Sequence, residues 1–229
     1  MRIRIRFTKL GRVRWTSHRD VARMWERALR RGRVPLAYTA GFTPRPQLSF
    51  GLALPTGCES VAEYLDVALT AELDPATVAG RVGALLPEGV DVDAAAVLDP
   101  GARSLQEDVT ACAWDIDVPT LSGAELDSAC RRALEAPSLP VRRERKGRVV
   151  TDDLRPSVRA LAARPGSPGA RLVAELATQP RGVRPSELAL ALGVELGLAR
   201  RTCQWIERDG SRWEPLSAGV IAAAEVHAS

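Results

Sequence analysis

An arginine held between two prolines is the residue of this chain best placed to do ligand chemistry. Residues 41–51 read Gly-Phe-Thr-Pro-Arg-Pro-Gln-Leu-Ser-Phe-Gly. Pro44 and Pro46 fix their own φ near about −65° and push Thr43 and Arg45 into extended backbone, so Arg45 projects from a stiff stalk. A guanidinium held ready loses less entropy on meeting a phosphate or carboxylate, and its planar fork can make two parallel hydrogen bonds. The competing reading is a rigid surface turn whose arginine pairs with a neighbouring acid. Residue types alone leave both open.

The other candidates carry similar pairs of readings. His18 is one of two histidines, the second being His227, and is the one positioned to act as a general acid or base. Its structural role is a first-turn helix residue against Trp15, which the lack of a visible triad partner favours. Asp20 stands three residues after Ser17 and fits a capping box. Glu59, Glu63 and Asp66 lack a metal-ligand spacing and can pair with Arg2, Arg4 or Arg6 on a neighbouring strand. Phe42 and Phe50 flank the proline loop as base stackers or as anchors. Cys58, Cys112, Cys130 and Cys203 form no close cluster, so no zinc or iron–sulfur centre is expected. The sequence therefore implies no metal and no cofactor.

Charge is concentrated at the start of the chain. Residues 1–33 hold eleven arginines and Lys9 against Asp20 and Glu26, giving 12 − 2 = +10, whereas the whole chain carries +4 and the remainder 4 − 10 = −6. A second cluster, Arg142, Arg143, Arg145, Lys146 and Arg148, is opposed only by Glu144. Such asymmetry points to a polyanion, with nucleic acid the usual case. No stretch approaches the roughly 20 apolar residues of a membrane span, and no signal peptide pattern opens the sequence. A cytoplasmic setting without membrane contact is the expectation.

The elements that must position these residues follow from periodicity. Arg2 to Phe7 alternates strictly, placing Ile3, Ile5 and Phe7 on one face and Arg2, Arg4 and Arg6 on the other. Ser17 precedes a helix with Val21, Met24, Trp25, Ala28 and Leu29 on one stripe and Arg19, Arg23, Glu26, Arg27 and Arg30 opposite, ended by Gly32 and Pro35. Strands are expected over 47–54, 61–69 and 90–98, with a helix from Asp74-Pro75 to about Leu86. In the second of these, 61–69, Tyr64 shares the outer face with the arginines. The order is βαββαβ, a ferredoxin-like unit in which residues 2–7 lie centrally in an antiparallel sheet of order 4-1-3-2.

Residues 104–208 repeat that order less cleanly. A strand at 109–118 leads to a helix capped by Ser122 with Glu125 three residues on. A hairpin at 139–150 around Lys146-Gly147, a strand at 171–178, a helix from Pro185 to Leu192 and a strand at 200–207 follow. A helix-turn-helix over 183–207 is the alternative there. The fold class is thus α+β, two tandem ferredoxin-like units with antiparallel sheets. Residues 1–100 form the basic domain, 101–215 a second, more divergent one, and 216–229 a tail.

Several motifs together carry a family resemblance. Ser17-His18-Arg19-Asp20 with Arg23, Tyr38 through Gly51, Ala53-Leu54-Pro55 with Gly57 and Glu59, and Glu63-Tyr64-Leu65-Asp66 resemble the bacterial radical-SAM-linked protein family. The resemblance is close over the first hundred residues and looser beyond. It implies a domain of unknown function found beside, or fused to, radical S-adenosylmethionine enzymes. Gln47 stands where that motif more often has lysine.

The sequence reading is a non-catalytic accessory protein that binds RNA or another phosphate-bearing ligand and works with a separate radical SAM enzyme, in a setting such as RNA modification. Arg2, Arg4 and Arg6 would track phosphates on an open sheet face, Arg45 would make a bidentate contact in the Thr43–Ser49 loop, Tyr64 would stack, and His18 and Ser49 would complete the ligand-binding set. The alternatives are a metal-independent endoribonuclease with His18 as general base and a protein-interaction scaffold.

Overall fold

The computed structural model describes residues 1–145 and 147–217. The chain is an α+β protein with a large, mostly antiparallel sheet and, among the described residues, five α-helices. It divides into two compact units, one of residues 1–109 together with the chain from Ile206 on, the other of residues 110–205.

The first unit opens with β1 (Arg2–Lys9), α1 (His18–Arg31), β2 (Leu48–Phe50), β3 (Glu59–Ala68), α2 (Pro75–Gly83), β4 (Val92–Val97) and the short α3 (Leu105–Asp108). Strand β1 is central, antiparallel to β3 on one side and β4 on the other, and β2 adds to the far side of β3. Its register sets Arg4 opposite Asp66 and Arg6 opposite Tyr64. The strand expected over 47–54 is only three residues long, because after Phe50 the chain turns away once Gly51 N–H has bonded the Tyr64 carbonyl (3.0 Å).

Helix α1 begins where Ser17 Oγ accepts the Asp20 N–H (3.2 Å) and stops at Gly32, whose N–H returns to the Ala28 carbonyl (2.8 Å). Asp74 caps α2 in the same way, accepting the Thr77 N–H (2.9 Å), with Pro75 at the first helical position. Both helices lie on the face of β1 that carries Ile3, Ile5 and Phe7. Val21, Trp25, Ala28 and Leu29 come from α1 and Val78 and Val82 from α2.

The Trp25 ring meets Phe7 edge to face, centroids 4.9 Å apart. Trp25→Ala should cost about 3–5 kcal/mol in urea unfolding, through lost burial and a cavity. Trp25→Phe should cost far less. The buried indole N–H has no hydrogen-bond partner among the described residues, so removing it leaves nothing unsatisfied.

The second unit contains β5 (Val109–Val118, from its second residue), α4 (Gly123–Glu135), β6 (Pro140–Arg145), β7 (Arg148–Asp153), β8 (Val158–Pro165), β9 (Ala170–Ala177), α5 (Pro185–Leu192) and most of β10 (Ala199–Arg208). Its strand order is β10-β5-β9-β8, and β6 and β7 form a separate two-stranded hairpin. The Ser122–Glu125 capping box is complete in both directions. Residues 199–208 are a strand, and Gly193 ends α5 in the left-handed region at φ 67°, so the helix-turn-helix alternative does not form.

Strand β8 was not expected. A register shift between Val158 and Ala160, followed by alanines, erases its period-two signal. The unit boundaries also differ from 1–100 and 101–215. The chain leaves the first unit at Val109 and returns to it at Ile206, where β11 (Ser211–Trp213) pairs with the end of β10. Of the expected tail, residues 218–229 lie outside the described residues, as does Lys146 at the hairpin turn.

Candidate nucleic-acid interface

The arginine row of β1 is spent inside the molecule. Arg4 is buried and donates from Nε and Nη2 to the two carboxylate oxygens of Asp66 (2.7 and 2.8 Å), while Nη1 donates to the Pro215 carbonyl (3.0 Å). Arg6 reaches Glu214 (2.9 Å) and Asp93 (3.1 Å), and Arg2 donates from Nη2 to the carbonyl of Ala102 (2.9 Å). Tyr64 is buried at 1% exposure.

The expected open face is therefore covered. Residues 214–215 lie on it, and cross-strand register sets Asp66 opposite Arg4 and Asp93 beside the residue facing Arg6, while Arg2 meets only backbone carbonyls among the described residues. The expectation that Arg4 tracks phosphates and Tyr64 stacks on an open face is thus corrected by their burial, while Arg2 and Arg6 stay partly exposed. The second reading of Asp66, an ion-pair partner on the neighbouring strand, is what forms. Glu59 likewise accepts from Gly11 N–H (2.8 Å) and lies 3.6 Å from Arg14.

The proline loop is a small excursion whose base is tied by an isolated bridge between Tyr38 and Pro46. Thr39 N–H bonds the Arg45 carbonyl (2.9 Å), and Arg45 N–H donates to Thr39 Oγ1 (3.1 Å). These bonds occupy the Arg45 backbone and leave its exposed guanidinium without an ion pair among the described residues. At the tip Phe42 is fully exposed, so it anchors nothing, and Tyr38 is 44% exposed. Ser49 is exposed on β2. An aromatic ring and a guanidinium thus stand out from one short loop.

His18 is exposed in the first turn of α1 and meets Phe50, not Trp15, edge to face at 5.3 Å. A small hollow has His18 and Phe50 in its wall together with Lys9, Glu63 and Tyr64, so the structure brings His18 and Tyr64 together and leaves Arg45 out. Lys9 Nζ donates to the Thr16 carbonyl (2.9 Å). Trp15 lies over Gly57, where any Cβ would come within 3.0 Å of the ring, and Arg14 sits 5.2 Å from its centroid. The Ser17 hydroxyl, bonded to Asp20 (2.7 Å), holds that carboxyl below its ordinary range, with Arg23 and Arg19 acting in the same direction. Among the described residues no group of three His, Cys, Asp or Glu side chains is placed to hold a metal ion.

The free cations are elsewhere. Arg12, Arg19, Arg27, Arg30, Arg31 and Arg33 are exposed and form no ion pair with any described residue. Four of them are on α1, Arg19, Arg27 and Arg30 opposite its apolar stripe and Arg31 at its last residue. Periodicity placed the first three there in the sequence, but as the solvated side of a helix. The available signal was the shortage of acids on α1, where Asp20 and Glu26 face five arginines. Among the described residues no helix is long and apolar enough to cross a membrane.

Fold and site together define an α+β protein whose first unit presents a basic outer helix and a proline-framed loop. The chain belongs to the family described as "Uncharacterized protein conserved in bacteria (DUF2344)", which matches residues 2–185. This agrees with the bacterial domain of unknown function expected from its motifs. Comparison with curated proteins finds no match. Among solved structures, a chain of "Crystal Structure of a Cbf5-Nop10-Gar1 Complex" is similar over 88% of this chain and 48% of that one, at 16% identity and a TM-score of 0.45. The present chain thus spans about half the length of that one.

Proposed function

We propose that the protein is a non-catalytic binding module for RNA or a related phosphate-bearing ligand. The observation that carries this reading is the set of six exposed arginines within residues 1–33 that form no ion pair among the described residues, in the same unit where Arg4 and Arg6 are paired with acids. The proline loop adds an exposed guanidinium and a fully exposed ring, a pairing suited to a phosphate and its base. The motifs resembling the radical-SAM-linked family suggest that the module serves a separate radical SAM enzyme, with RNA modification as the shared process. The order β4-β1-β3 with β2 beside β3, repeated as β10-β5-β9-β8, supports reading both units as ferredoxin-like.

Arg45 tests the loop. Arg45→Lys should weaken RNA binding nearly as much as Arg45→Ala, because lysine keeps the charge and loses the fork. Melting temperature should stay put in both, since the guanidinium holds no ion-pair partner among the described residues. Loss of stability with unchanged affinity would remove the loop from the interface.

The hollow shared by His18, Lys9, Glu63 and Tyr64 favours one second reading, an endoribonuclease with His18 as general base. RNA cleavage that disappears in His18→Ala would replace the binding reading with that one.

A further inference from the structure

The exposed side of α1 is polar, and a groove opens beside its second half. There the helix and the segment after α2 enclose an open groove of about 580 Å³. Met24, Leu85, Leu86 and Pro87 line it as apolar surface, and Arg27, Arg30 and Arg31 lie along the same groove. Met24, Leu85 and Leu86 pack inward on the core, so this apolar surface is the core showing through. The two walls are fixed to one another. A Cβ at Gly32 would lie 3.2 Å from the Arg81 carbonyl oxygen, so the end of α1 rests on α2 at close range.

The geometry points to this groove as a seat for unstacked bases of single-stranded RNA, with Arg27, Arg30 and Arg31 holding the phosphates on either side. The inference rests on the RNA-binding reading above and narrows it to one class of RNA. Three guanidiniums without ion pairs among the described residues are a poor neighbour for an apolar hollow unless an anion arrives together with an apolar surface. Single-stranded RNA supplies both, in alternation along one strand. Arg27 and Arg31 stand one turn apart, about 6 Å along the axis, so successive phosphates can be held together. A duplex offers phosphates but keeps its base faces stacked inside, out of reach of the floor. Methionine and leucine side chains accept a flat ring of any base, so no sequence preference follows.

The test uses fluorescence anisotropy with the full chain and three labelled probes of equal length. They are an unstructured single-stranded RNA, the corresponding RNA duplex, and a single strand with intact phosphates but no bases. The based single strand should bind at least about 5-fold tighter than either of the others, the lower end of what one stacked base contributes. Met24→Gln with Leu86→Gln should abolish that advantage while leaving duplex affinity unchanged, and Arg27→Gln with Arg30→Gln should weaken all three probes. The abasic comparison needs no substitution and stands even where the double variant folds poorly. Equal binding of based and abasic strands would overturn the inference and leave the RNA reading intact. Failure of every probe to bind, or equal binding of a polyglutamate competitor, would overturn both.

Discussion

Asp66→Asn should destabilise the protein by about 3–5 kcal/mol, the cost of leaving one member of a buried ion pair unmatched. Arg4 and Asp66 are 1% and 5% exposed, and their bidentate contact is completed by the Pro215 carbonyl on the third nitrogen. Water cannot replace the lost carboxylate there. The companion variant separates pairing from burial. Replacing both residues with apolar ones of similar size, Arg4→Met with Asp66→Leu, should recover most of the loss, because neither desolvated charge then remains. Urea denaturation of the two variants and the parent measures both effects. A loss under about 1 kcal/mol for Asp66→Asn would mean that the pair is solvated in the manner of a surface bridge.

RNA affinity should fall steeply with salt. If the six unpaired arginines of residues 1–33 each neutralise a phosphate of a single strand, the slope of log affinity against log salt is about −4, and affinity drops roughly 300-fold between 50 and 200 mM. Each Arg→Gln change at Arg19, Arg27, Arg30 or Arg31 should reduce the slope by about 0.7. Arg6→Gln should leave it unchanged, since Arg6 is already held by Glu214 and Asp93. A slope that falls in Arg6→Gln but not in Arg27→Gln would return the interface to the sheet.

How far the sequence disclosed this arrangement depended on whether the relevant partner lay close along the chain. Strand β1 and helix α1 were legible because their periods of two and 3.6 are written in consecutive residues, and Ser17, Asp74 and Ser122 announce their helices at three-residue range. The pairing of Arg4 with Asp66 was foreseeable as one of two readings. Its cover was not, because Pro215 lies 211 positions from Arg4 and no local pattern ties the two together. Tyr64 was misplaced for the same reason: alternation tells which residues share a face but not what else lies on it. The α1 arginines were visible as a charge count, and they stand out as a candidate interface because Arg4 and Arg6 of β1 are paired with acids. Phe42 needed the loop's geometry, since a phenylalanine beside prolines serves equally well as an anchor.

The return of residues from Ile206 to the first unit gives its electrostatics an order in time. Glu214 is made 208 positions after Arg6, which at ribosomal speeds of about 5–20 residues per second is a delay of roughly 10–40 s. Through that interval a nascent first unit carries Arg4 and Arg6 without the carbonyl and carboxylate that later cover them. Over that interval the unit lacks the Glu214 carboxylate that later pairs with Arg6, beside a ribosome that is itself a polyanion. Synthesis of residues 214–215 is the step that completes the cover of those two guanidiniums, already paired by Asp66 and Asp93, and leaves the α1 arginines as the basic surface that persists.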